Sequence, residues 1–159
     1  MKKLFFILFL LAGYSNMTNA QILAFKPTTG DAEMDGILTD IHNKAIKDIS
    51  GFTSNVVSTF SLVNSKVEAA LKILAPGDVF MAAQLASTVN KPFDEVVKTY
   101  QANKSKGWGA MAKEMGIKPG SAEFHAMKKS MKFKGNSGNK GNGNAGGKGN
   151  GNAGKGKKK

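Results

Sequence analysis

Apolar residues recur at helical spacing through most of the chain. After Asp31, the residues Met34, Ile37, Leu38, Ile41, Ala45, Ile46 and Ile49 follow one helical face, and this periodicity predicts an amphipathic helix of about four turns. Ser50 and Gly51 are read as its break. A second stripe, Val56, Phe60, Val63, Val67, Ala70 and Leu74, alternates steps of four and three, which also suits a coiled-coil seam. The short break favours an intramolecular helical hairpin. Self-association through the seam is the other option, so an oligomer stays open. The outer positions of the second stripe are Ser54, Ser58, Thr59, Ser61, Asn64 and Ser65. These contribute little helix propensity, so packing must hold the segment.

Ala75-Pro76-Gly77 ends that stripe, and Asp78 is read as the N-cap of a further helix carrying Val79, Phe80, Ala83, Leu85, Ala86 and Val89. Asn90-Lys91-Pro92 makes a turn, with proline in the first turn of the next helix and Asp94 and Glu95 near its positive end. Phe93, Val96, Val97 and Tyr100 form its stripe. The polar run QANKSKG follows. No period-two strand pattern of any length occurs. The expected fold is all-α: a small helical domain of five or six helices with a helical hairpin, plus a disordered Gly/Asn/Lys C-terminal tail. The expected organisation is a signal peptide over residues 1–20, a linker over 21–30, the hairpin over 31–75, a helical motif domain over 76–134 and the basic tail over 135–159.

GWGAMAKEMGIKPGSAEFHAMKK, residues 107–129, has the look of a helix-turn-helix. Trp108, Met111, Ala112 and Met115 share one face, Gly116 supplies a left-handed helix end, and Ile117 inserts behind it. Ser121 is placed to cap a last helix whose inner face carries Phe124, Met127 and Met131. The linking segment GIKPGS is longer than the usual three- or four-residue turn. All 23 basic residues of the chain are lysines, whereas arginine makes the commonest specific contact to guanine. The motif is therefore read as a packing corner, with no sequence-specific nucleic-acid binding expected.

Residues 78–129 resemble an uncharacterised, usually exported bacterial helical domain marked by G-W-G, then A-K-x-L-G-I, then P-G-S-x-E-F-H-x-L-K. Met115 and Met127 stand where leucine is usual, changes that preserve packing. The resemblance implies an all-helical fold and carries over no catalytic residue.

Charge and composition add location and a candidate partner. The chain opens with Lys2 and Lys3, an apolar run over residues 4–12 and a polar stretch ending in small residues, the pattern of a secretory signal with cleavage expected after Ala20. The apolar run is shorter than the roughly 20 residues that span a bilayer. The expectation is thus an exported, periplasmic or secreted, soluble mature chain without a transmembrane segment. Cysteine is absent, so no disulfide framework is available. The formal net charge is +12, and it is unevenly placed. Residues 21–127 hold eleven lysines and eleven acidic residues, whereas residues 128–159 hold ten lysines and no acid.

The unit KGNGNAG occurs twice in the tail. Nothing there is large enough to bury, which predicts disorder. The tail is either a solubilising low-complexity extension or a flexible cationic arm that attracts polyanions through Lys128, Lys129, Lys132, Lys134, Lys140, Lys148, Lys155, Lys157, Lys158 and Lys159. On the second reading the partners are anionic envelope or extracellular polymers.

Candidate chemistry is sparse. His42 is read as a solvated residue on the polar side of the first helix. His125 lies two positions from Glu123, so the pair points to different sides of a helix, and no metal is expected. Neither a Ser-His-acid motif nor a phosphate-binding glycine loop is present. No catalytic residue, cofactor or enzyme activity is expected. Trp108, framed by Gly107 and Gly109, is either a stacking platform or a buried residue over the helical corner, and burial is favoured. Trp108, Phe124 and His125 are the candidate partner surface. These readings converge on an exported, non-enzymatic binding or structural protein tethered by its tail. The alternative is a periplasmic adaptor or chaperone-like module with an incidental tail.

Overall fold

The computed structural model describes residues 25–136. The expected signal peptide over residues 1–20, and the tail lysines from Lys140 onward, lie outside the described residues. Within them the fold is all-helical: seven α-helices, one 3₁₀ turn and no strand. The helices are α1 (Ala32–Ala45), α2 (Ile49–Phe60), α3 (Asn64–Leu71), α4 (Pro76–Val89), α5 (Phe93–Ala102), α6 (Gly107–Glu114) and α7 (Ala122–Asn136), with the 3₁₀ turn at Lys104–Lys106.

α4 is the centre. It packs against α1, α2, α3, α5 and α7, and every residue from Pro76 to Ala86 is buried. Its apolar residues run almost without interruption because no side faces water. One continuous core joins Met34 and Leu38 of α1 and Val56 of α2 to Met127 and Met131 of α7. The segments 31–75 and 76–134 therefore share one interior.

The hairpin expected over residues 31–75 is three helices, and both differences have local causes. α1 ends at Ala45 rather than at Ile49 because Asp48 starts a new helix, its Oδ1 accepting from the Gly51 amide at 2.8 Å. Gly51, read as a breaker, lies inside the first turn of α2, where an added Cβ would strike the Asp48 carboxylate. The second stripe is cut where Ser61 takes a left-handed conformation, φ 53°. Val63 becomes the N-cap of α3 and is 61% exposed. The four-and-three spacing therefore spans two short helices and forms no continuous seam.

Residues 25–30, expected as a linker, are packed as a strap across the domain. The Phe25 ring stacks on His42 at 4.5 Å and lies against Gly77, where no Cβ fits. This cover explains why His42, expected in solvent, is buried. The carbonyl of Thr28 accepts from the Gly109 amide at 3.1 Å. It thereby satisfies one of the unpaired N–H groups opening α6, a helix with no side-chain cap. Thr29 donates from its amide and hydroxyl to Asp35 Oδ1 at 3.0 and 2.6 Å.

Candidate functional site

The helical corner at residues 107–129 positions two features, a buried polar cluster and a cleft beside it. α6 begins at Gly107, whose φ of 78° favours glycine. That turn places Trp108 fully inside, with 0% exposure. Burial, the favoured reading of Trp108, is what the structure has, so Trp108 lies in the interior and not on an exposed partner surface. The indole stacks on Tyr100 of α5, with ring centroids 3.7 Å apart and planes 11° apart.

Both aromatic residues donate to one acceptor. Trp108 Nε1 donates to Asp78 Oδ1 at 2.7 Å, and the Tyr100 hydroxyl donates to the same oxygen at 3.0 Å. Asp78 is therefore no N-cap. α4 starts three residues earlier than expected, with Ala75 as its cap and Pro76 in its first turn. This places Asp78 inside the helix, where its carboxylate turns inward.

Burial pushes the Asp78 carboxyl up from its ordinary value, against the hydrogen bonds from Trp108 and Tyr100 and the charges of Lys104 and His42. Burial likewise raises the Tyr100 phenol, with the Asp78 charge adding to the effect. The cluster ties α4, α5 and α6 together through satisfied buried polar groups. Sequence reasoning missed the role. The available signal was one acid leading an apolar run, with a tyrosine and a tryptophan further along whose donors need an acceptor.

The cleft has a volume of about 530 Å³ and lies between the strap, α6, the turn after α6 and α7. Trp108, Met34, Met81, Ile117 and Met127 lie beneath it as buried core residues, and Lys106 and Lys113 also line it. Phe124 contributes a half-buried ring. Gly116 and Gly120, at φ 94° and 77°, shape the turn. Ile117 inserts as expected, its amide donating to the Ala112 carbonyl at 2.9 Å. Ser121 caps α7 through a 3.2 Å bond from the Phe124 amide.

His125 is exposed and meets Phe124 edge to face at 5.8 Å. The proposed partner surface thus divides. Phe124 and His125 are accessible, and Trp108 lies behind them. Among the described residues no group of three His, Asp or Glu side chains is placed to hold a metal.

The basic residues of α7 also divide. Lys128 reaches Asp31 at 2.9 Å and Glu33 at 2.6 Å, and Lys132 pairs with Glu33. Lys128 holds Asp31 and Glu33 below the usual carboxylate range, and Lys132 adds to this at Glu33. Lys128 and Lys132 are therefore partly occupied within the fold. Lys129 is exposed, and Lys134 falls on the last turn of α7. No helix among the described residues is long and apolar enough to cross a membrane.

Comparison with known proteins finds no matching family model, no matching curated protein and no matching solved structure.

Proposed function

We propose that this is an exported, non-enzymatic binding protein whose cationic tail tethers a helical domain to anionic envelope or extracellular polymers. The observation that carries the reading is the division of charge. Residues 21–127 are neutral, while the ten lysines of residues 128–159 meet no acid within that segment. The ion pairs of Lys128 and Lys132 with Asp31 and Glu33 sharpen it. They leave the six lysines beyond Asn136 as the main source of positive charge for an external partner. Lysines spaced by glycine and asparagine attract phosphate, sulfate or carboxylate polymers by counterion release, without reading sequence.

The buried cluster supports a scaffold role for the domain. Asp78 is the buried acid of the core, and its Oδ1 already accepts two internal donors. A second reading, a periplasmic adaptor or chaperone-like module with an incidental tail, draws on the cleft.

Cell fractionation separates the two. The full chain should stay with the envelope or matrix fraction and be released by a salt wash, and a chain stopped after Asn136 should appear in the soluble fraction. Equal retention of both forms would favour the adaptor reading.

A further inference from the structure

α2 lacks charge in a way that burial does not explain. Residues 49–65 form a run of seventeen without Asp, Glu, Lys or Arg, between Asp48 and Lys66. α4 carries a comparable run over residues 79–90, and there the cause is burial along most of the helix. α2 packs against α1, α3 and α4 yet buries only Thr53 and Val56. Ser50, Gly51, Ser54 and Ser58 are exposed. The outer face of a surface helix ordinarily carries charged residues.

A second feature falls on the same helix. The large apolar side chains that stand exposed among the described residues are Ile46, Ile49 and Val63, at 39%, 47% and 61%. Ile46 and Ile49 lie where α2 begins, and Val63 lies just past its end. Depletion of charge around apolar anchors marks the core of a protein interface off from ordinary surface.

We propose that α2 is a homodimer interface, on which a second copy of this chain packs its own α2 antiparallel about a two-fold axis. Such a contact requires a surface that complements itself. Hydroxyls meet this condition because each both donates and accepts, whereas a lysine or a carboxylate facing its own copy is repelled. Ile49 and Val63 stand seven residues to either side of Val56. An antiparallel pair centred there sets the apolar start of each helix against the apolar end of the other, with Ser54 opposite Ser58. The tail takes no part, and its lysines oppose association. At twelve residues α2 is about 18 Å long, so the contact is small and the expected affinity is in the micromolar range.

Sedimentation equilibrium of the full chain from Gln21, over about 1–300 µM, should show the average mass rise from one chain to two and level there. Association should tighten as salt screens the tails. S54K/S58K sets lysine against lysine and should weaken the dimer by about tenfold or more, as should S54E/S58E with its carboxylates. Both positions are exposed, and circular dichroism checks that the variants fold. Mixing the two variants should restore a dimer that holds one copy of each.

If either variant fails to fold, cross-linking decides. The chain has no cysteine, so a mixture of S54C and S58C chains treated with a short bismaleimide should give the mixed cross-link beyond its random share. A mass of one chain throughout, a mass that climbs past two, a dimer that salt dissolves, a dimer that survives in folded S54K/S58K, or cross-links at the random share would each overturn the proposal. So would a monomer that binds uncharged phosphatidylcholine vesicles and loses them in S54K/S58K, which would assign α2 to a lipid surface.

Discussion

Trp108 Nε1 donates to Asp78 Oδ1 at 2.7 Å, across a span of thirty residues, while the stacked ring of Tyr100 delivers its hydroxyl to the same oxygen. One buried carboxylate oxygen thus organises three helices. Asp78→Ala would leave two buried donors without an acceptor, and each such loss is worth about 1–3 kcal/mol. Asp78→Asn keeps an oxygen in place. Urea denaturation should show the alanine variant destabilised by roughly 2–5 kcal/mol and the asparagine variant by under about 1.5 kcal/mol. Equal losses would show that the hydrogen bonds are not what Asp78 supplies.

The pH dependence follows from opposed shifts. Burial raises the native Asp78 carboxyl, so the folded state holds its proton more tightly than the unfolded chain. Its contribution to stability is greatest below the unfolded aspartate value of about 4. It declines as pH rises from there until the raised native value is passed. Asp31 and Glu33 behave in the opposite way. Lys128 lowers both, so their contribution is present above the unfolded carboxylate values and is lost as pH falls through the lowered native ones. In denaturation series from pH 3 to pH 7, Asp78→Asn should gain on the unaltered protein as pH rises, and Lys128→Met should flatten the acid limb. A constant difference between Asp78→Asn and the unaltered protein would refute the assignment to Asp78.

The strap predicts a contrast among glycines. A Cβ at Gly109 would strike the Thr29 carbonyl, and one at Gly107 would lie 2.7 Å from Thr28 Oγ1 on a backbone of φ 78°. Gly36, inside α1, has nothing within 4 Å of the equivalent position. Gly109→Ala should destabilise by about 1–3 kcal/mol, the usual range for overpacking, and speed proteolysis before Gly30. Gly36→Ala should stabilise by up to about 1 kcal/mol through helix propensity. A neutral Gly109→Ala with an unchanged cleavage pattern would mean that the strap does not seat on α6.

Much of the corner was legible because its signals are local. Gly116, Ile117, Ser121 and the stripe of α5 follow from capping rules and helical period, and each sits where those rules put it. The boundaries in residues 46–63 were less legible, since Asp48 and Gly51 suit either a break or a helix start and only the Asp48–Gly51 bond decides. The strap carries no periodicity, so its packing was hidden. Its clues were Phe25 and the paired glycines around Trp108, which imply close approach without saying by what. Asp78 was misread because a good N-cap residue and a buried acceptor look alike until the distant Tyr100 and Trp108 are in place.

The tail carries the central claim, and it is tested most directly by a salt series. The full chain from Gln21 and a version stopped after Asn136 would be titrated with duplex DNA, as a plain polyanion, from 50 to 200 mM salt. The six lysines removed predict a fall in the slope of log affinity against log salt of up to about 5, with little binding left in the shortened form. Matching slopes and affinities for the two forms would contradict the tether and return attention to the cleft.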